Sequence, residues 1–241
     1  MNAPHQRSSE LGSVNVRIAE LFHSIQGEGE FAGTSSIFVR TTGCNLRCWF
    51  CDSPDTSWKP QGELRPWREI LSDVLDIACE HVVLTGGEPL LQPEIVPLSQ
   101  ALRRAGRIVT VETAGTVSRL VEADLMSISP KLTNSTPRDT SRWRQRHERD
   151  RLRYRVVAKL IESARYQLKF VVDQPEDLDE VVQYLRGLPQ ISKDRVWLMP
   201  QGIDARELAE RTKWLAPAAD HLGFQLSSRR HIELFGHIRG T

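Results

Sequence analysis

Three cysteines stand within eight residues, Cys44, Cys48 and Cys51, in the spacing Cys-x3-Cys-x2-Cys, while Cys79 stands apart. Thiolate sulfur is a soft donor, and one loop presenting three of them suits zinc or iron–sulfur chemistry. The residues between them, Asn45, Leu46, Arg47, Trp49 and Phe50, add no good fourth soft ligand. A structural zinc site takes four protein ligands, so zinc requires Cys79, His81 or His23 to close the site from elsewhere. An iron–sulfur cluster held wholly by protein normally takes four cysteines, so three leave one iron open to an exchangeable ligand. In a reducing compartment, thiols in such a cluster point to metal or redox chemistry rather than to a disulfide framework.

The elements that must position this loop follow from hydrophobic period. Short β-branched runs alternate with longer amphipathic ones, the pattern of βα units and a mainly parallel sheet. Strands are expected over 14–22, 36–40, 81–84, 108–111, 125–128, 166–172, 196–199 and 224–226, and helices over 66–79, 93–105, 175–185 and 205–219. The first of these helices sets Ile70, Leu71, Val74, Leu75 and Ala78 on one face. In the second, Pro97 is expected to confine regular helix to the later part. The cysteine loop ends one strand. Four other polar or glycine-bearing loops end four more: Thr85-Gly86-Gly87-Glu88-Pro89, Glu112-Thr113-Ala114-Gly115, Ser129-Pro130-Lys131 and Met199-Pro200-Gln201-Gly202. In a parallel sheet the carboxyl ends share one edge, where α/β folds build their sites.

Composition bounds the partners. Across 241 residues, Lys+Arg 32 against Asp+Glu 31 leaves a formal net charge of +1, so no global excess drives binding to nucleic acid or an anionic bilayer. Mean hydropathy is -0.38, apolar runs are far shorter than a bilayer span, and the first fifteen residues lack an apolar signal core. A single cytoplasmic domain over 1–241 is expected, with 1–13 flexible. Between Lys131 and Lys159, ten basic residues face three acidic ones, a local excess of +7. The stretch 134–157 therefore reads as a basic insertion. It is either an electropositive rim for an anionic substrate or protein partner, or a solvated, mobile connection. Only Trp143 and Tyr154 offer surface for stacking on bases, which weighs against direct nucleic-acid binding.

The cysteine spacing, with Phe50 just before the third cysteine, resembles that of radical S-adenosylmethionine (SAM) enzymes. The resemblance implies a 4Fe–4S cluster whose open iron is chelated by SAM, and reductive cleavage of SAM to a radical that abstracts hydrogen from substrate. Within that class, Phe22-His23-Ser24-Ile25-Gln26-Gly27-Glu28-Gly29, Gly33, Phe38-Val39-Arg40-Thr41-Thr42-Gly43-Cys44, Cys51-Asp52-Ser53, Thr85–Pro89, Ser129-Pro130-Lys131 and residues 227–236 resemble the 7-carboxy-7-deazaguanine synthase family. The likeness runs from about residue 16 over essentially the whole chain. It implies conversion of 6-carboxy-5,6,7,8-tetrahydropterin to 7-carboxy-7-deazaguanine with release of ammonia, assisted by Mg2+, in queuosine or 7-deazapurine biosynthesis. It also implies a homodimer and an electron donor such as a flavodoxin or ferredoxin. Because the chain is slightly shorter than a full barrel of about 250 residues, the implied fold is α/β, a partial or distorted (β/α) barrel with its site at the carboxyl ends of the parallel strands.

By the same resemblance, Cys44, Cys48 and Cys51 hold the cluster. Phe50, Cys51, Asp52, Gly87, Glu88, Glu112, Ser129, Pro130, Lys131, Met199, Pro200 and Gln201 contact SAM. Ile25, Gln26, Gly27, Glu28, Arg40, Thr85 and His231 contact substrate, Arg40 as a bidentate fork for its carboxylate. Ser53 stands where the family usually has threonine and keeps the hydroxyl for Mg2+. Short members end about six residues beyond the histidine with a terminal carboxylate in the site; this chain runs on to Thr241, which leaves that contact open. Two other readings remain: an activating enzyme for a glycyl-radical protein, against which the 25–29 and 232–236 segments speak, and a non-catalytic module stapled by zinc.

Overall fold

The computed structural model describes residues 15–138 and 142–241; the expected flexible segment 1–13 and part of the basic stretch lie outside them. The strands are β1 (Asn15–Ile25), β2 (Ser35–Thr41), β3 (Glu63–Pro66), β4 (His81–Gly86), β5 (Ile108–Thr113), β6 (Leu125–Ile128), β7 (Tyr166–Val172), β8 (Val196–Pro200) and β9 (Gln225–Leu226). The helices are α1 (Pro54–Ser57), α2 (Trp67–Asp76), α3 (Ile95–Arg104), α4 (Arg142–Arg151), α5 (Tyr154–Ser163), α6 (Asp177–Arg186), α7 (Ala205–Leu222) and α8 (Arg230–Phe235). Among the described residues, nine strands form one sheet in the order β3-β1-β2-β4-β5-β6-β7-β8-β9. From β2 to β9 every neighbour is parallel. The sheet is open, with β3 and β9 at its edges, which makes it a partial barrel.

The departures from expectation have local causes. β1 runs antiparallel to both β2 and β3, and β3 was not expected: four residues ending in Pro66 carry too little pattern, and such a strand survives only at an edge. Pro97 does not delay its helix. It is the third residue of α3, where the proline's missing N–H would have had no helical partner in any case. α2 buries Ile70 and Val74, but Leu75 is exposed. The basic stretch is helical: α4 and the start of α5 occupy it. α7 starts where Asp204 accepts from the backbone N–H of Arg206 and Glu207, and it stops at Gly223 with φ 75°.

The two faces of the parallel strands differ, and this difference makes the site. Ile37, Val39, Val82, Leu84, Val109, Val111, Met126, Ile128, Leu168, Phe170, Val196 and Leu198 belong to the apolar core against the helices, with Ile70, Leu98, Leu160, Tyr184 and Leu215 opposite. The residues between them turn the other way. Phe38, Arg40, Thr85, Glu112, Ser127, Lys169 and Met199 line a cavity on the concave side. Register aligns them across the sheet, Arg40 opposite Thr85 and Glu112 opposite Ser127. No helix among the described residues is long and apolar enough to cross a membrane.

At the opposite end of the sheet His81 is buried between two hydroxyls. Ser36 Oγ donates to the Thr34 carbonyl, so it accepts from His81 Nδ1–H at 2.7 Å, and His81 Nε2 accepts from Thr110 Oγ1–H at 2.8 Å. Protonation would break the second bond, and burial pushes the pKa down to about 4 from an ordinary 6.5. Between those values the unfolded chain binds a proton that the folded chain does not, so stability falls as pH drops. We expect the thermal midpoint to decline from about pH 6.5 towards pH 4 and the slope to flatten in His81→Gln; equal slopes in both proteins would contradict this assignment.

Candidate active site

The concave face opens at the carboxyl ends of β2 and β4–β8 into a cavity of about 480 Å³, onto which Cys44, Cys48 and Cys51 all face. Two glycine turns hold the cysteine loop in place. Gly43, at φ 101°, donates its N–H to the Thr56 carbonyl, and its own carbonyl accepts from the Glu88 N–H at 2.8 Å. A side chain at Gly87 would place Cβ 2.3 Å from the Gly43 oxygen, so the loop after β4 can lie against the cysteine loop only as glycine. Trp58 Nε1 donates to the Cys48 carbonyl at 2.9 Å, and Cys51 Sγ lies 3.1 Å from Ser57 Oγ.

Burial pushes the thiols of Cys44 and Cys48 up to about 12 and raises that of Cys51. They stay neutral until a bound cationic group replaces the protons. Among the described residues no three His, Cys, Asp or Glu side chains are spaced to share one metal ion. A single zinc would need sulfurs within about 2.3 Å of it, whereas separate iron corners suit wider anchors. The ligands that could close a zinc site are also at the wrong edge: Cys79 Sγ donates to the Ser35 carbonyl, His81 meets Ser36, and His23 meets Ser35. Ser35 begins the strand whose far end leads to Cys44. The donor set fits a cluster with an open corner and not a zinc staple.

Most residues singled out from sequence line this cavity: Ile25, Gln26, Gly27 and Glu28; Phe50, Asp52 and Ser53; Thr85, Gly87 and Glu112; Ser129 and Lys131; Met199, Gln201 and His231. Pro130, just after β6, and Pro200, the last residue of β8, are buried and do not face it. Glu88 departs most from expectation. Its carboxylate is wholly buried and turned away, accepting from Thr113 Oγ1 at 2.8 Å, Ala114 N–H at 2.8 Å and Leu90 N–H at 3.1 Å. It ties the loops after β4 and β5 together, and burial raises its pKa. Glu112 does face the cavity, its two oxygens accepting from Gln26 Nε2 at 3.1 Å and Thr85 Oγ1 at 2.8 Å. Lys131 Nζ donates to the carbonyl and hydroxyl of Ser129, closing that loop on itself. Gly27 is required because a Cβ there would fall 1.8 Å from the His231 ring. Burial lowers the His231 pKa, which favours the neutral imidazole.

Arg40 pairs with neither Glu28 nor Glu30. Its Nε lies 2.7 Å from Glu20 Oε1, and a terminal nitrogen donates to Ser53 Oγ at 3.0 Å. The expected carboxylate fork and the expected Mg2+ hydroxyl are therefore neighbours. Behind them lies a charge cluster whose two cations were not singled out from sequence. Lys169, the one charged residue of β7, pairs with Glu28 and lies 3.9 Å from Glu112. Arg229 reaches Glu28 at 3.2 Å and also pairs with Asp52. Burial opposes ionisation of Glu28, but Lys169 and then Arg229 outweigh it and hold the carboxyl well below the usual range. A lone lysine inside the apolar run Tyr166–Val172 was the available signal. The carboxyl segment reaches the mouth as well: His237 Nε2 lies 2.9 Å from the Asp52 carbonyl, Arg239 bridges Glu20 and Asp55, and Thr241 faces the cavity.

The basic segment packs on the back of the cysteine loop. Arg47 N–H donates to His147 Nδ1 at 3.1 Å, Trp49 Nε1 donates to the Asn134 carbonyl at 2.6 Å, and Trp49 N–H to the Ser135 carbonyl at 3.2 Å. Arg47 stacks on Trp143 and Arg138 on Trp49.

An open α/β sheet whose first parallel strand feeds a three-thiol loop, with a glycine turn from the next strand laid against it, defines a radical SAM protein, and the profile of the Radical SAM superfamily matches residues 38–209. Its cofactors are accordingly a 4Fe–4S cluster and SAM. The chain belongs, within that superfamily, to the family of 7-carboxy-7-deazaguanine synthases. It is 48% identical to the 7-carboxy-7-deazaguanine synthase of Rhodopirellula baltica, over 94% of this chain and 89% of that one. It is 42% identical to that of Halobacterium salinarum, over 93% and 92%. The crystal structure of QueE from Escherichia coli shares the fold at a TM-score of 0.68 and 22% identity, over 90% of this chain and 95% of that one.

Proposed function

We propose that this protein is a carbon–nitrogen lyase that converts 6-carboxy-5,6,7,8-tetrahydropterin to 7-carboxy-7-deazaguanine with release of ammonia, within the cytoplasm and as a homodimer. The observation that carries it is the meeting, in one cavity, of the three thiols with a polar inner face built from five parallel strands. When bound, the cluster and SAM supply the radical that takes hydrogen from the substrate, and Mg2+ supplies a hard cation for substrate oxygens.

The residues of the chain bind, orient and shield. Cys44, Cys48 and Cys51 would hold the cluster, and the backbone of Gly87, with Ser129, Lys131, Met199 and Gln201, would contact SAM. Glu28 stays ionised beside Lys169 and Arg229, so it accepts from the donor edge of a pterin. Glu112 has two accepted bonds and further lone pairs to offer, since a carboxylate has about four acceptor sites. Arg40 turns its fork between Glu20 and Ser53, next to the hydroxyl suited to Mg2+. A substrate carboxylate bound there would meet both cations at once. Neutral His231 can donate one bond and accept one, and Thr85, whose hydrogen is given to Glu112, can accept.

Anaerobic reconstitution followed by incubation with reductant, SAM, Mg2+ and the carboxytetrahydropterin should yield the deazapurine. Absence of product with SAM cleavage intact would reject the substrate and leave the class standing. Arg40→Ala should weaken substrate affinity by about 2–3 kcal/mol, the worth of a charge-assisted contact, while the cluster spectrum stays that of the parent. Unchanged affinity would remove Arg40 from the carboxylate site.

A further inference from the structure

The proposed reaction leaves the outer face of α4 and α5 without a task, and the charge of that face is sorted by depth. Arg142, Arg144, Arg146, Arg149, Arg153 and Arg155 are exposed. Of the acidic groups on these helices, the Asp150 side chain is 8% exposed and ties Arg146, Arg149 and Arg153 from below, Glu148 is bound to buried Arg151, and Glu162, near the end of α5, is the exposed carboxylate set against these six arginines. The outside is a cationic surface in a chain whose net charge is +1. The inside of the same segment grips Arg47 and Trp49, the residues that flank Cys48, through His147, Asn134 and Arg138. Aromatic faces on which bases could stack are covered, Trp49 by Arg138 at 3.6 Å and Trp143 by Arg47 at 4.1 Å. The surface is thus built for an anionic protein rather than for single-stranded nucleic acid.

We infer that the arginine face of α4 and α5 is the docking surface for a small acidic electron-carrier protein, which delivers its electron to the cluster anchored by Cys44, Cys48 and Cys51. This rests on the radical SAM reading of the site. One electron passes: the carrier is oxidised by one, the cluster is reduced by one, and no bond is made or broken in the transfer. The Arg47, Trp49 and Arg138 contacts connect that face to the cysteine loop directly. Opposite charges on the two partners would raise the encounter rate and orient the carrier's redox group towards the loop.

The test uses the reconstituted protein and a purified acidic flavodoxin in its oxidised state, with binding followed by interferometry. Arg142→Gln/Arg149→Gln/Arg155→Gln should slow association about tenfold at low salt and flatten its salt dependence. Arg104→Gln/Arg186→Gln/Lys213→Gln removes the same charge from exposed positions on α3, α6 and α7 and should stay within about twofold of the parent, because screened distant charges contribute little. Product formation driven by dithionite should be the same in all three proteins, while flavodoxin-driven formation falls only in the first variant. Equal loss in both variants, or none in the first, would overturn the docking face, as would transfer RNA binding that face more tightly than flavodoxin. If dithionite yields no deazapurine but flavodoxin still binds through the arm, the docking face stands and the reaction assignment fails.

Discussion

Cys48→Ala protein, reconstituted anaerobically, is expected to show no iron–sulfur absorption and to form product only at background. Cys48 is one of three thiols that face the cavity, and no fourth cysteine faces it, since Cys79 lies at the other end of the strands. Two thiolates cannot retain a cluster that fully coordinated proteins hold with four. The folded protein should survive the change at a cost of about 1 kcal/mol, the loss of one small buried group, so circular dichroism should match the parent. Cys79→Ala is the matched control: its thiol donates to the Ser35 carbonyl and should be dispensable for the cluster. Cluster retention in Cys48→Ala, or its loss in Cys79→Ala, would refute the ligand assignment.

Replacing Lys169 by methionine should have the second large effect. The ammonium sits between Glu28 and Glu112 with its side chain 5% exposed, so its removal strips Glu112 of its buried counterion and leaves Glu28 with Arg229 alone. Breaking such a pair costs about 3–5 kcal/mol, to be read as a lowered unfolding midpoint. The site should change as well. In the parent, Glu28 is held far below its ordinary pKa of 4.5, so its stabilisation is complete above that value and is lost only as pH falls through the depressed one. In the variant Arg229 is left as the main group opposing the effect of burial, and the carboxyl titrates at higher pH than in the parent. KM should therefore fall as pH rises in Lys169→Met, stay flat in the parent, and recover in part in Lys169→Arg. A purely structural lysine would lower stability without tilting the pH profile of KM, and that result would reject this role.

These two residues mark what was legible beforehand. Cys48 announced itself, because three cysteines at that spacing have few uses and strand ends in a parallel sheet share an edge. Lys169 did not, because one cation in an apolar strand does not say which face it takes until register is known. Register also hid the partner of Arg40. β1 carries an irregularity between Ile18 and Glu20 that brings Glu20 opposite Arg40, and no local pattern fixes where a strand slips by one. Glu88 misled for a different reason: the loop motif identified the right turn, but only the fold shows that Thr113 and Ala114 claim its carboxylate. The basic stretch read as either an electropositive rim or a solvated connection, since its charge masked a helix whose buried contacts come from His147, Asp150 and Arg151.

The alternation of inner and outer residues along the strands also governs how a gene for this protein can change in length. Adding or deleting one codon inside β2, β5 or β7 reverses the parity of everything after it in that strand, turning Arg40, Glu112 or Lys169 into the helix layer and an aliphatic residue into the cavity. Such frameworks tolerate substitution far better than insertion. Growth is confined to the connections, and the 134–157 segment, which enters after β6 has delivered its inward serine and leaves before β7 begins, lies where added length leaves the parity of every strand intact.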